Sequence, residues 1–383
     1  MSELPDFDPG FSTDRMREIW SAASRVGRFA EVEAALAQAT AEAGLIPAAA
    51  ASAIQTACTN VTAAPASILR EGWGLGTPVL ALLAGIRDAL PKEHAPHLHF
   101  GATTQDIVDT AAVLQIRDAF GELLRTLLAV TDDLAGSIEK HRADSVMGRT
   151  LLQPALPIRL AWRLACWLDP AVEVVDAIVL ARGRLPLQLG GPVGDLSSFR
   201  GRGERVVQAL ASRLGLAVPT IPWHADRRPI ASSVTLASRA AGVCEKIATD
   251  LLLLSQREIA EVELPAGGSS SMAHKRNAIG AVRAVAAARA CRGVASIVTC
   301  APAHELERAA GSWHAEWFAV PLVFHVAGAA VEATSESVAG AVFDASRASE
   351  HLRGATLPDA TDVERLVDRV LSRYEGIRGL PRS

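Results

Sequence analysis

From Gln105 to His141 the chain runs 37 residues without a proline, and Ile107, Leu114, Leu124, Leu128 and Ile138 recur near helical spacing. A continuous helix of that length spans about 55 Å, longer than an ordinary globular helix. A second such stretch covers about Ile230 to Leu264, where Val243, Ile247, Leu251 and Leu254 step by four, four and three. A third follows from Asn277 to Cys300, and a fourth from about Leu322 to Val342. These segments are rich in alanine, leucine, glutamate and arginine, the good helix formers, while tyrosine occurs once in the chain. The expectation is an all-α protein. Long helices with apolar residues on more than one face bury the excess against neighbours, and at this length the neighbours include other subunits.

Composition narrows the class of partner. Of 383 residues 49% are hydrophobic and 21% charged, which excludes general disorder. The 38 basic residues against 42 acidic ones leave a net charge of −4, so no basic field draws in nucleic acid or an anionic membrane. No uninterrupted apolar run approaches the roughly 18 residues of a membrane span, and MSELPDFDPGF, acidic and without a basic stretch followed by an apolar one, does not read as a secretory leader. Cys58, Cys166, Cys244, Cys291 and Cys300 are odd in number and scattered, and read as buried hydrophobes in a reducing, cytoplasmic compartment.

Glycine, proline and serine gather between the helices, in PKEHAPHLHFGATTQD, GRTLLQPALP, LPLQLGGPVGDLSS, PTIPWHADRRP and ELPAGGSSSMAHKRN, which read as loops that carry function. The last is the most informative. Its glycines leave backbone N–H groups unencumbered, its serines are proton carriers, and Lys275 and Asn277 suit a carboxylate where a helix begins. On composition alone the same segment also reads as a flexible linker. It lacks the Ser-x-x-Lys spacing of a penicillin-binding nucleophile, and the chain has neither of the common glycine-rich nucleotide motifs.

Three segments together resemble the fumarase/aspartase superfamily, over about residues 11 to 350. Gly268 to Ala278 is similar to the signature loop, with Ala273 and Ala278 in place of its two prolines. His99-Phe100-Gly101-Ala102-Thr103-Thr104-Gln105-Asp106 resembles the first motif, and Gly148-Arg149-Thr150-Leu151-Leu152-Gln153-Pro154-Ala155 the middle one. The resemblance implies a three-domain fold divided at 1–104, 105–345 and 346–383, with a central long-helix bundle and a truncated C-terminal domain. It further implies a homotetramer with a twenty-helix core, whose composite sites each draw on three subunits and need no metal or other cofactor. Ser269 then corresponds to the serine that moves a proton at the carbon beside a carboxylate, while Lys275 and Asn277 hold that carboxylate. His99, Thr103, Thr104, Gln105, Thr150, Gln153, Ser270 and Met272 become substrate-binding positions for a small polycarboxylate. Arg149, Arg276 and Arg308 become candidates for its remaining charges, set against ordinary salt bridges.

The departures select the chemistry. Many members place a histidine after the middle threonine and a glutamate seven residues beyond the signature lysine; Leu151 and Val282 stand there instead. A general acid is needed when a strongly basic atom departs, but a carboxylate, with an ordinary pKa of about 4, leaves unprotonated. That suits the 3-carboxy-cis,cis-muconate cycloisomerases, which make or open a lactone. Leu187-Gln188-Leu189-Gly190-Gly191, Pro222-Trp223-His224, Glu307-Arg308 and Trp313-His314-Ala315-Glu316-Trp317 are also similar to that subfamily, whereas Asp195 departs from it. A β-eliminating lyase on a succinyl-type substrate remains the alternative, and an inactive structural paralogue a second. Trp313 and Trp317, one turn apart, read as helix packing, and His304, Glu307 and Arg308 as neighbours on one helical face.

Overall fold

The computed structural model describes residues 8–61, 64–268, 276–301 and 304–381. The helices begin with α1 (Asp14–Ile19), α2 (Ala22–Glu42), α3 (Ala48–Thr59), α4 (Pro65–Gly74) and α5 (Pro78–Asp88). The long elements are α6 (Thr104–Lys140), α7 (Leu160–Arg182), α9 (Arg228–Leu254), α10 (Ile279–Thr299) and α11 (Ser312–Ala339), with the shorter α8 (Gly203–Leu214) before α9. Two helices close the chain, α12 (Ala345–Leu352) and α13 (Thr361–Arg378), the latter packed on α7. Helix makes up 67% of the described residues, the all-α fold that the sequence led one to expect.

Each long helix buries more than a stripe. In α6, 22 of 37 residues are buried, from Gln105 to Ile138, because α7, α2 and α11 cover different sides of it. The central core runs along α6, α7, α9, α10 and α11. A second core joins α2 to α5 with the first turns of α6 and the segment from Leu187 to Leu214. Part of α11 is long and apolar enough to cross a membrane, but 72% of that window is buried inside the protein, which makes it a core helix.

Two helix limits differ from the sequence expectation. The second long helix stops at Leu254 rather than near Leu264, and after a turn segment Ala260, at a left-handed φ of 51°, leads the chain into β3 (Val262–Glu263), paired antiparallel with β4 (Val342–Phe343). The fourth begins at Ser312 and runs through Pro321. Proline costs a helix one hydrogen bond, and here buried Trp313, Ala319 and Val320 before it and Val323 and Phe324 after it hold both flanks in register.

The middle motif is a β-hairpin, β1 (Ser145–Thr150) with β2 (Gln153–Arg159), where a loop was expected. Thr150 pairs with Gln153 across a turn made of Leu151 and Leu152, both at positive φ (50° and 64°). That backbone normally calls for glycine or asparagine. Cys58, Cys244 and Cys291 are buried as expected, but Cys166 and Cys300 are exposed.

Candidate functional site

The N-terminal end of α6 is unusual for a core helix, since Gln105, Asp106, Asp109 and Thr110 are all buried there. Buried polar groups must find partners, and these find many. Asp106 Oδ1 accepts from His224 Nε2 (2.7 Å), Gly190 N (2.8 Å) and Gln188 Nε2 (3.1 Å), and Oδ2 from Gly191 N and Thr103 N (2.9 Å each). The Thr103 contact is the reciprocal half of a capping box. Burial alone would raise the Asp106 pKa, but His224, the Thr103 N–H and the Gln188 amide outweigh it and hold the carboxyl below its usual range. Gly101 and Gly191 have φ of 74° and 79°, and a Cβ on Gly191 would stand 2.8 Å from the Gly101 carbonyl oxygen, so glycine permits this close approach of two loops.

His99, Gln105 and Arg308 belong to the same neighbourhood. Gln105 Nε2 donates to Asp109 Oδ2 (3.0 Å) and to the His224 carbonyl (2.9 Å), while its Oε1 accepts from Arg308 Nε (3.0 Å). Arg308 also donates to the Pro192 carbonyl (3.1 Å). His99, at a left-handed φ of 59°, meets Glu33 Oε1 at 2.6 Å through Nδ1. Burial opposes protonation of His99, yet the Glu33 carboxylate outweighs it and raises the pKa. Thr103 and Thr104 are half-buried beside them. Around Leu306 (φ 47°) the chain is not helical, so His304, Glu307 and Arg308 share no helical face; this corrects the spacing argument.

The remaining candidates lie past the other end of α6, about 55 Å away by helix rise. Arg149, on β1, is held by Glu261 through NH2 to Oε1 (2.7 Å) and NH1 to Oε2 (3.2 Å). Arg163 and His351 share that carboxylate, at 3.4 Å and 2.8 Å. Burial would raise the Glu261 pKa, but the hydrogen bonds from Arg149 and His351 and the charges of Arg149 and Arg163 lower it. Thr150 and Gln153 flank the hairpin tip, exposed, and Leu151 between them is 97% exposed. Arg276 pairs with Glu263 (3.0 Å) on the surface. Asn277 forms an antiparallel bridge with Gly267 and donates from Nδ2 to the Gly268 carbonyl (3.2 Å). Ser269, Ser270, Met272 and Lys275 lie outside the described residues.

One chain therefore gathers the first-motif residues with Arg308, and separately sets the middle motif near the start of the signature loop. Among the three nominated arginines, Arg308 alone has no carboxylate partner among the described residues; the other two form salt bridges. Sequence reasoning missed Glu33 and Glu261, and it placed Asp106, Gln188 and His224 only within motif stretches, with His224 left between pocket wall and domain corner and none of them given a site role. The Thr103-x-x-Asp106 spacing was available as a capping-box signal; the others become visible only through contacts 66 to 118 residues apart. Trp313 is a packing residue that also donates from Nε1 to Asp109 Oδ1 (2.9 Å).

A family model described as Lyase matches residues 10–293. The 3-carboxy-cis,cis-muconate cycloisomerase of Acinetobacter baylyi is 35% identical over 345 residues, 88% of this chain and 76% of that protein. The cycloisomerase of the same name from Bradyrhizobium diazoefficiens is 36% identical over 360 residues, 91% of this chain and 79% of that protein. The crystal structure of the 3-carboxy-cis,cis-muconate lactonizing enzyme from Pseudomonas putida superposes with a TM-score of 0.85 at 31% identity, covering 97% of this chain and 86% of that one.

Proposed function

This chain belongs to the fumarase/aspartase superfamily of enzymes, and from that premise we propose that it is a cycloisomerase of the 3-carboxy-cis,cis-muconate type. The observation that carries the reading is the hairpin tip: Leu151, the residue after Thr150, presents a side chain with no proton to give, and Val282, its partner position on α10, is equally apolar. A carboxylate that adds to a double bond, or leaves in the reverse direction, needs no acid at that place. The names and coverage of the cycloisomerase relatives support the same chemistry.

In the lactonising direction one substrate carboxylate oxygen forms a bond to an alkene carbon. The displaced electron pair moves onto the neighbouring carboxylate as an enolate-like dianion, and Ser269 delivers the proton to the carbon between them. Lys275 and Asn277 hold that dianion, with Ser270 and Met272 beside it. A serine hydroxyl is far too weak an acid or base for this in water, so the loop acts dry, with its N–H groups and Lys275 stabilising the charge. Arg308, with Thr103, Thr104, Gln105 and His99, receives a second carboxylate, and Thr150 and Gln153 contribute neutral hydrogen bonds. Arg149 and Arg276 serve as supports for the backbone around Glu261 and Glu263.

The enzyme works as a homotetramer whose sites combine segments of three subunits. Two features support this: the length of α6 between the first motif and the others, and the apolar residues Ile279, Val282 and Ile297 that α10 leaves exposed. The test is direct. Purified protein should bleach the conjugated-diene absorbance of 3-carboxy-cis,cis-muconate, and Ser269→Ala should lower turnover by about 10²- to 10⁴-fold with the oligomer intact. Protein that leaves the diene untouched yet releases fumarate from a succinyl substrate would instead be an eliminating lyase.

A further inference from the structure

A cavity of about 300 Å³ lies among α2, α4, α6, α9 and α11. None of the candidate substrate-binding residues lines it, and its walls are largely aromatic: Trp20, Phe29, Trp73, Trp317 and Phe318. Two cations in this wall, Arg25 and the exposed Arg70, have no ion pair among the described residues, and of the two only Arg25 lies over aromatic rings. The Arg25 guanidinium lies 5.8 Å from the Phe29 ring centre and 5.7 Å from that of Trp317. It thus lies over two aromatic rings, and it has no hydrogen bond or ion pair among the described residues. Burial pushes its pKa down to about 10, which leaves it charged at neutral pH. A half-buried cation without a counter-ion among the described residues is costly to a fold, and the aromatic rings repay only part of that.

The acidic groups in the same wall are already committed. Asp109 accepts from Arg227, Gln105 and Trp313, and Glu316 accepts from Arg227 Nε and NH2. Two further donors want acceptors, since the buried Nε1 groups of Trp20 and Trp317 have none. Among the described residues the two carboxylates of the wall are engaged while Arg25 and two indole N–H groups are not, which favours an anionic ligand. A single guanidinium fork matches one carboxylate. Walls of indole and phenyl rings match a flat apolar body, and the volume is at the small end for a ligand site.

We infer that this cavity binds a small aromatic monocarboxylate, its carboxylate on the Arg25 fork and its ring among Phe29, Trp73 and Trp317. The test uses the full-length assembled protein, with benzoate and its uncharged isostere benzamide titrated by calorimetry and by tryptophan fluorescence. Benzoate should bind saturably and at least about tenfold tighter than benzamide, the loss expected for one charge-assisted pair. Arg25→Met should keep its fold, with a Tm no lower than that of the parent, and lose the preference. Arg308→Leu should retain it. Equal binding of the two probes, absence of benzoate binding, or benzoate binding unchanged in Arg25→Met would overturn the inference. Loss of binding in Arg308→Leu would move the ligand to the candidate active site, and an Arg25→Met chain that does not fold would make Arg25 a structural cation; either result also overturns it.

Discussion

Replacing Asp106 by asparagine tests the account of the α6 N-terminus more severely than its size suggests. The carboxylate serves five donors, three on Oδ1 and two on Oδ2. An asparagine has one acceptor oxygen, so in its better orientation the new NH2 still faces the Gly191 and Thr103 N–H groups. Each buried donor that loses its acceptor costs about 1–3 kcal/mol, and the lost negative charge weakens the remaining bonds. The sum is about 4 kcal/mol. At roughly 2.1 cal/mol/K per residue of unfolding entropy, a chain of 383 residues should melt about 5 °C lower. The assay is thermal unfolding at one fixed protein concentration, because assembly couples to stability, with exposed Asp362→Asn as the control. Turnover should also fall, since Thr103 and Gly191 lose their anchor. An Asp106→Asn protein within about 0.5 kcal/mol of the parent, inside the range of an ordinary surface change, would refute the reasoning.

Three other outcomes follow from the same geometry. His325 is buried on α11, and burial, then the nearby Arg17, depress its pKa to about 4. The unfolded chain takes up this proton near pH 6.5 and the folded one only near 4, so this group's contribution is complete above pH 6.5 and lost as pH falls toward 4. The acid limb should carry about 3 kcal/mol from it, by 1.36 kcal/mol per pKa unit; His325→Gln should flatten that limb, and an unchanged slope would contradict the assignment. Arg308→Leu should lower kcat/KM by about tenfold to a hundredfold, while Arg276→Leu, on an exposed pair, should change it less than twofold. Finally, the impaired Ser269→Ala and Arg308→Leu chains, unfolded and reassembled together, should reach about a quarter of parental activity, above either variant alone, if each site draws on different subunits; no rise above the Arg308→Leu level would place the motifs within one chain.

The long helices were legible because proline-free runs with apolar residues near helical spacing leave little else to form. Their ends were less so, since Pro321 looks like a stop and only the buried residues on both sides overrule it. The hairpin was hidden because its turn is Leu151-Leu152, without the glycine or asparagine that marks such turns. Of the site, the first motif carried its own signal in Thr103 and Asp106. The roles of His224 and Gln188 depend on loops that return to α6 from far along the chain, and no local spacing encodes that return. Arg149 was nominated for its charge, but Glu261, 112 residues away, occupies it. The two leucines at positive φ store about 1 kcal/mol or more of strain each, which the rest of the hairpin sustains.

The length of α6 acts as a ruler. A single inserted residue advances the helix by 1.5 Å and rotates everything beyond it by about 100°, turning buried faces of a helix that is covered on several sides toward solvent. Seven inserted residues nearly restore the rotation but displace one end by about 10 Å. If the active sites form where one end of α6 meets the opposite end of a neighbour's, neither change is tolerable. Insertions and deletions among related chains should then fall in the connecting segments and spare this helix.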